Sequence, residues 1–386
     1  EKGRENLLLQ SNQFDTTWAG NNALAISGYA DRNGGTNAWL LREQAGNIQH
    51  YIRQSSGLYS GIGTFSFYAK KKDYDWIQFA RSGDGGDYAN FNISNGTLGN
   101  VSGASIIDRK IESVGNGWYR CSVTYSFGSN SFVGIALIRS DVSSRYEVYQ
   151  GDNTSGTYIQ DAQVEQGLVA SDVISTTTTS VSAGILEDMP RLDYSGGASC
   201  PSLLLEPQRT NLVAQSEYFN SYSKVTSDAT SVPVVTDNYA ISPEGLQNAA
   251  RVVVTKPSTD NDYAFIREAK SIAKTSGDKM SQSVYLKATD ASQIGKIVDI
   301  YAYDGSYLSV KNHTLTSEWE RVEAIHTASI GTSNTEIVIG KARAFAGGTT
   351  LANMATDFLV YGHQFENGSS YPTSYIPTYG TSQTRS

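Results

Sequence analysis

Four histidines, His50, His313, His326 and His363, are the side chains best suited to proton transfer near neutral pH in this chain of 386 residues. None sits in a frame that such chemistry uses. There is no G-x-S-x-G elbow to present a serine, no H-E-x-x-H pair to hold zinc and no glycine-rich phosphate loop. A glycosidase needs two carboxylates set by a distance in space, which leaves no trace along a chain, so that chemistry stays open, as does a lyase using Tyr with Lys or Arg. Binding chemistry is better supplied. A sugar ring offers an apolar C–H face and a hydroxyl rim, which aromatic rings beside Asn, Gln, Asp and Arg suit well, and the chain has 24 Tyr, 12 Phe and 5 Trp. The candidates are Trp39, Tyr51, Arg53, Trp76 and Tyr88 in the first half, and Tyr263, Arg267, Tyr301, Tyr303 and Tyr307 in the second. Tyr51-Ile52-Arg53 and Phe265-Ile266-Arg267 correspond, and on a strand their alternate positions share a face. Asp84, Asp87, Asp152 and Asp161 lie in or near Gly-rich loops and supply the oxygen ligands of a structural calcium site, although Asp–Gly loops are also ordinary turns.

Bulk properties narrow the partners. A formal charge of −8 and the absence of any basic run longer than Lys70-Lys71-Lys72 argue against a nucleic-acid partner. No apolar stretch reaches the roughly 18 residues of a membrane helix, and no leader opens the chain. Two cysteines, Cys121 and Cys200, make neither a disulfide framework nor a metal spacing.

The elements that position these residues come twice. EKGRENLLLQSNQF (Glu1 to Phe14) matches EPQRTNLVAQSEYF (Glu206 to Phe219), pairing Arg4 with Arg209 and Asn6 with Asn211 at an offset of 205. SFYAK (Ser66 to Lys70) matches SVYLK (Ser283 to Lys287) at 217. The offset falls to 201 for GWYR against EWER, which pairs Trp118 with Trp319 and Arg120 with Arg321, and holds for QVEQG against QFENG, which pairs Gln163 with Gln364 and Glu165 with Glu366. Loop insertions account for the drift. SDVIST (Ser171 to Thr176) and TSYIPT (Thr373 to Thr378) close the copies. No histidine has a counterpart, His363 facing Ala162, and a duplicated active site would keep its base. The repeated Trp reads as a core or sandwich-edge anchor, the repeated Arg as a partner of a carboxylate or chain carbonyls, and the Gln and Glu as groups that tie down a terminal strand.

Within each copy short runs such as WIQFAR, YRCSVTYSF, VGIALI and TEIVIG alternate or are rich in β-branched residues, and turn clusters such as SGDGGD and GDNTSG separate them. No helical period persists beyond about three turns. The expectation is an all-β chain of two tandem jelly-roll β-sandwich domains, residues 1–174 and 206–386, joined by an extended Ser/Thr-rich connector over 175–205 whose second half is able to form a strand feeding the second sandwich.

LLLEPQRTNLVAQSEYF, the two S-x-Y-x-K strands, GNGWYRCSVTY, YIQDAQVEQG and YPTSYIPTYGTSQTR together resemble the modules of bacteriophage tail-fibre, head-fibre and other receptor-binding proteins, which are similar in turn to carbohydrate-binding jelly rolls. The resemblance covers nearly the whole chain, once per copy. The second copy departs from it at Glu318-Trp319-Glu320 and Tyr361-Gly362-His363. It implies a non-enzymatic protein of the virion surface that engages host cell-surface polysaccharide and other virion proteins. Fibres of this kind are commonly homotrimers, although no heptad segment here specifies one. Accessory modules of an exported polysaccharide lyase or glycoside hydrolase, and a purely structural fibre, are the alternatives.

Overall fold

A computed structural model describes residues 3–55, 61–82, 86–127, 132–183, 192–193, 202–227 and 231–385. Asp84 and Cys200 lie outside the described residues. The chain divides into two compact units, Gly3–Gly184 and one that starts at Ile185.

Strand alternation decides which residues face the core. In Trp76–Ser82, Ile77 and Phe79 are fully buried in the core while Trp76, Gln78 and Ala80 point outward. In the first unit one sheet runs, in spatial order, Ala23–Tyr29, Ala38–Glu43, Gly156–Gln166, Gly61–Lys70, Trp118–Phe127 and Ile106–Gly115. The other runs Ala19–Asn21, Tyr51–Ser55, Phe132–Ile138, Trp76–Ser82, Tyr88–Asn92 and Thr97–Ser102. Every neighbour pairing is antiparallel. Starting from Ala38–Glu43, eight strands taken in chain order fall in the spatial sequence 1-8-3-6 in the first sheet and 2-7-4-5 in the second, the connectivity of a jelly roll.

The second unit repeats it. Ala249–Val253, Asp357–Asn367, Lys279–Ala288 and Glu320–Thr327 form one four-strand set; Ala264–Ile272, Ser333–Lys341, Ile297–Tyr303 and Tyr307–Thr314 form the other, with Val234–Ala240 and Ser223–Thr226 at the edges. The fall in offset from 217 to 201 is now located: Thr97–Ser102 and Ile106–Gly115, one on the edge of each sheet, have no equivalent among the described residues of the second unit. The insertion in the first copy is thus ordered strand as well as loop.

The matched polar residues form one skeleton, built twice. The Asn6 amide donates to Ala162 O (3.3 Å) and Ile174 O (2.7 Å) and accepts from the Leu8 and Val164 N–H groups. Asn211 does the same with His363 O, Ile376 O, Val213 N and Phe365 N. Gln163 donates to Glu165 (2.8 Å) and accepts from Ile174 N; Gln364 donates to Glu366 (2.9 Å) and accepts from Ile376 N. Burial pushes the Glu165 carboxyl above its ordinary value, and Arg4 opposes the shift.

The stretch read as connector begins inside the first sandwich. Thr176 bonds Ser11 and Leu8, and Val181–Ala183 pairs with Arg4–Asn6. In the second unit Gln383–Arg385 closes on Arg209–Asn211 in the same way. Farther on, Leu192–Asp193 pairs with Ser202–Leu203 as a separate two-stranded ladder.

Candidate ligand-binding faces

In each unit the sheet that contains the Tyr-Ile-Arg or Phe-Ile-Arg strand turns an aromatic face outward. Strand register assigns the equivalences. Arg53 pairs with Gly134, which pairs with Ala80; Arg267 pairs with Val338, which pairs with Tyr301. Tyr51 therefore corresponds to Phe265, Gly134 to Val338 and Ala80 to Tyr301.

The two faces differ in who covers them. In the first unit the loop after Phe132–Ile138 lays Tyr146 across the sheet, its ring stacked on Tyr51 at 4.0 Å. Gly134 lies beneath: a Cβ there would come within 2.9 Å of Tyr146 Oη. Tyr146 takes φ of +52°, a left-handed conformation unusual for a bulky residue. Its N–H donates to Gln78 Oε1 at 2.8 Å. Tyr51 and Tyr146 are left 7% and 5% exposed, so this face is filled by its own side chains. In the second unit Tyr301 is 2% and Phe265 5% exposed, but they form a floor under half-buried Tyr263, Tyr303 and Tyr307 and a well-exposed Phe345. Ring centroids run Tyr263–Phe265 5.2 Å, Phe265–Tyr301 6.0 Å, Tyr301–Tyr307 5.4 Å, Tyr303–Tyr307 5.3 Å and Tyr307–Phe345 6.3 Å. These spacings fall in the range of favourable offset and edge contacts, and they make one continuous apolar platform.

Both covering loops are held from below by a polar pair in the same register, with both members buried in the first unit and only Asp299 buried in the second. Gln78, opposite Asn90, donates to Asn90 Oδ1 (2.8 Å) and to Ser144 O (3.0 Å), and Asn90 donates to Asp141 O and Ser143 O. Asp299, opposite Asn312, accepts from Asn312 Nδ2 (2.7 Å) and from the Ala342 and Thr349 N–H groups, and Asn312 donates to Gly347 O. Burial raises the Asp299 carboxyl while its backbone donors lower it, the burial effect being the larger. Lys341 adds a second anchor: its buried Nζ donates to the carbonyls of Asp260, Asp262 and Ala342.

The other candidates separate clearly. Trp39 is on neither face. It occupies an alternate position that points inward, packs edge-on against Phe14 at 6.1 Å and donates from Nε1 to Asn12 O. Trp76 faces outward but packs on the inserted strand at Gly99, where a Cβ would meet its ring at 2.6 Å. Tyr88 borders the Tyr51–Tyr146 cluster. Arg53 lies over Phe132 at 4.8 Å, whereas Arg267 forms an ion pair with Glu336. Arg145, Tyr146, Arg343 and Phe345 escaped sequence reasoning because they sit in loops without periodicity. The available signal was positional: SSRYE and KARAF both follow the same strand of the repeat.

The acidic loop residues do not converge. Asp87 is buried against Arg81 (3.4 Å) and Ser105; Asp152 caps its own loop through Thr154 N, Ser155 N and Ser155 Oγ; and Asp161 pairs with Arg32 at 3.1 Å. Backbone donors from Ser155 hold the Asp152 carboxyl far below the usual carboxylate range. Among the described residues no three His, Cys, Asp or Glu side chains group as metal ligands do. A carboxylate pair does occur away from the faces, where Glu217 and Glu244 both accept from Tyr361 Oη and Asn248 Nδ2. Glu217 is 1% exposed there, closed in by Tyr375 and Tyr379. His326 and His363 are fully buried in the second core and His50 is 1% exposed.

No family model matches the chain. No curated protein sequence matches it either. Among solved structures it is similar to the tandem CBM22-1–CBM22-2 domain of Paenibacillus barcinonensis Xyn10C, at 10% identity over 94% of this chain and 97% of that one with a TM-score of 0.27. It is also similar to the CBM22-1–GH10 modules of Clostridium thermocellum xylanase 10B, at 13% identity over 43% and 29% with a TM-score of 0.27, and to an arabinose-bound GH51 α-L-arabinofuranosidase, at 12% over 41% and 26% with a TM-score of 0.31. The chain thus spans about a quarter of the arabinofuranosidase. At these scores the likeness carries no argument, and the jelly-roll assignment rests on strand order.

Proposed function

We propose that the chain is a glycan-binding protein without catalytic activity and that the outer face of the second unit is its principal site. The observation that carries this is the platform of Tyr263, Tyr303, Tyr307 and Phe345 over the Phe265–Tyr301 floor, open to solvent and flanked by Arg343 and Asn312. Soluble domains seldom leave so many adjoining rings uncovered without a partner for them, and rings in a row match the repeated apolar faces of a polysaccharide. The resemblance of the sequence motifs to phage receptor-binding modules supports a finer reading, in which this is a virion-surface protein that holds the particle to host surface glycans.

The test is direct. Tyr303→Ala and Tyr307→Ala should each weaken glycan retention about tenfold, the equivalent of ~1.4 kcal/mol, while Tyr88→Ala on the filled first face leaves it unchanged. Binding constants from a glycan array and affinity electrophoresis, with melting curves as the folding control, check this. Retention that survives loss of both tyrosines would refute the assignment of the site.

A further inference from the structure

One cation on the second face is unlike the rest. Arg267 is neutralised by Glu336, and Lys341 is buried in its cage of carbonyls. Arg343 has neither arrangement. Its guanidinium sits 4.8 Å above the Tyr263 ring and 5.8 Å from Phe345, and among the described residues it makes no ion pair with a carboxylate. The nearby acids are committed elsewhere. Asp299 accepts from Ala342 N, Thr349 N and Asn312; Asp260 Oδ1 accepts from Leu351 N; and Asp262 accepts from Ser227 Oγ and Thr259.

The position of Arg343 is also built rather than incidental. The backbone on both sides is fixed, by Ala342 N to Asp299, Ala344 N to Asp260 O and Phe345 N to Asn261 Oδ1. Gly348 N closes on Arg343 O, and a Cβ at Gly348 would meet Ala342 O at 2.4 Å, so the turn admits only glycine. A guanidinium held in place before a ligand arrives loses little freedom on binding, and its flat fork matches a carboxylate or sulfate in two parallel bonds. On a chain of net charge −8 such a placement draws an anion to one spot on an otherwise neutral aromatic strip.

Resting on the glycan reading above, we propose that the second face takes an acidic glycan: Tyr303, Tyr307 and Phe345 stack on sugar rings, and Arg343 pairs with an anionic substituent on one of them. The experiment uses the intact chain on an array that pairs uronate-, sialate-, pyruvate- and sulfate-bearing glycans with their neutral parents. Retention should favour the acidic member of at least one pair by tenfold or more. Arg343→Gln should erase that preference by bringing retention of the acidic member down to that of its neutral parent, Arg343→Lys should restore part of it, and salt raised from about 50 to 500 mM should mimic Arg343→Gln. If neutral and acidic partners bind equally and Arg343→Gln changes neither, the acidic specificity is refuted and the glycan site stands. If no glycan is retained and Tyr303→Ala is silent, both fall.

Discussion

Acidification from pH 7 to pH 4 should unfold the second unit and spare the first. A chain of buried polar groups crosses the second core. His326 Nδ1 lies 2.8 Å from Leu308 O and its Nε2 3.0 Å from the Gln282 amide; Gln282 Nε2 lies 3.0 Å from His363 Nε2, and His363 Nδ1 3.0 Å from Tyr222 Oη. Gln282 also donates to Val338 O, so the chain links the two sheets at Leu308 and Val338. Burial drives His326 down to about 4 and His363 to about 3. An added proton on His363 Nε2 would set one N–H against another. Among the described residues, Glu268 is the charged group that acts on the Tyr222 end of the chain. Both folded values lie below the unfolded value near 6.5, so the stability is complete above pH 6.5. It is lost as pH falls toward the folded values, because the unfolded chain takes up protons the folded one refuses. By pH 4 each histidine costs roughly 3 kcal/mol. In the first unit the positions equivalent to His326, Gln282 and His363 hold Tyr125, Phe65 and Ala162, all in its core cluster. Calorimetry at pH 7, 5.5 and 4 should show one transition falling steeply and one holding. Placing the first unit's residues in the second, as His326→Tyr, Gln282→Phe and His363→Ala, should flatten the pH dependence, and His363→Ala alone should halve it. An acid transition indifferent to these changes would show that another group drives it.

Asn6→Ala should lower the stability of the first unit by about 3–5 kcal/mol and leave the second untouched; Asn211→Ala should do the reverse. Each amide joins four buried backbone groups from the opening strand, the last long strand and the tail that follows it. Truncation leaves two carbonyls and two N–H groups unmet in a place water does not reach, at about 1–3 kcal/mol each before relaxation. Asp cannot rescue either site, because a carboxylate has no N–H for the two carbonyls. Thermal unfolding of the single variants and the double variant checks this. The double loss should equal the two single losses added, since the sites share no partner.

The duplication and the β class were legible because both are written in local pattern: period-two alternation for the strands, and polar pairs such as Asn6 with Asn211 and Gln163 with Gln364 that keep their backbone partners. The face composition was half legible. Tyr51-Ile52-Arg53 reads correctly as outward, inward, outward, but whether an outward ring meets solvent depends on what lies over it. Tyr51 disappears under Tyr146, and Tyr301 becomes floor beneath Tyr307. Trp39 failed for a simpler reason, since a residue at the start of an almost wholly buried strand gives no clue to which side it takes. The loop residues that finish each face, Tyr146 and Arg343, are placed by Gln78–Asn90 and Asp299–Asn312, and neither pair carries a periodic signal.

The closing ladders have a consequence for how such a chain tolerates rearrangement. Arg4–Asn6 lies beside Val181–Ala183, and Arg209–Asn211 beside Gln383–Arg385, so each jelly roll enters and leaves within one inter-strand spacing, about 4.8 Å. A unit with neighbouring ends is a cassette. It can be copied in tandem, set into the loop of another protein, or cut at a surface turn and rejoined through a short link across its old ends, without asking any strand to move.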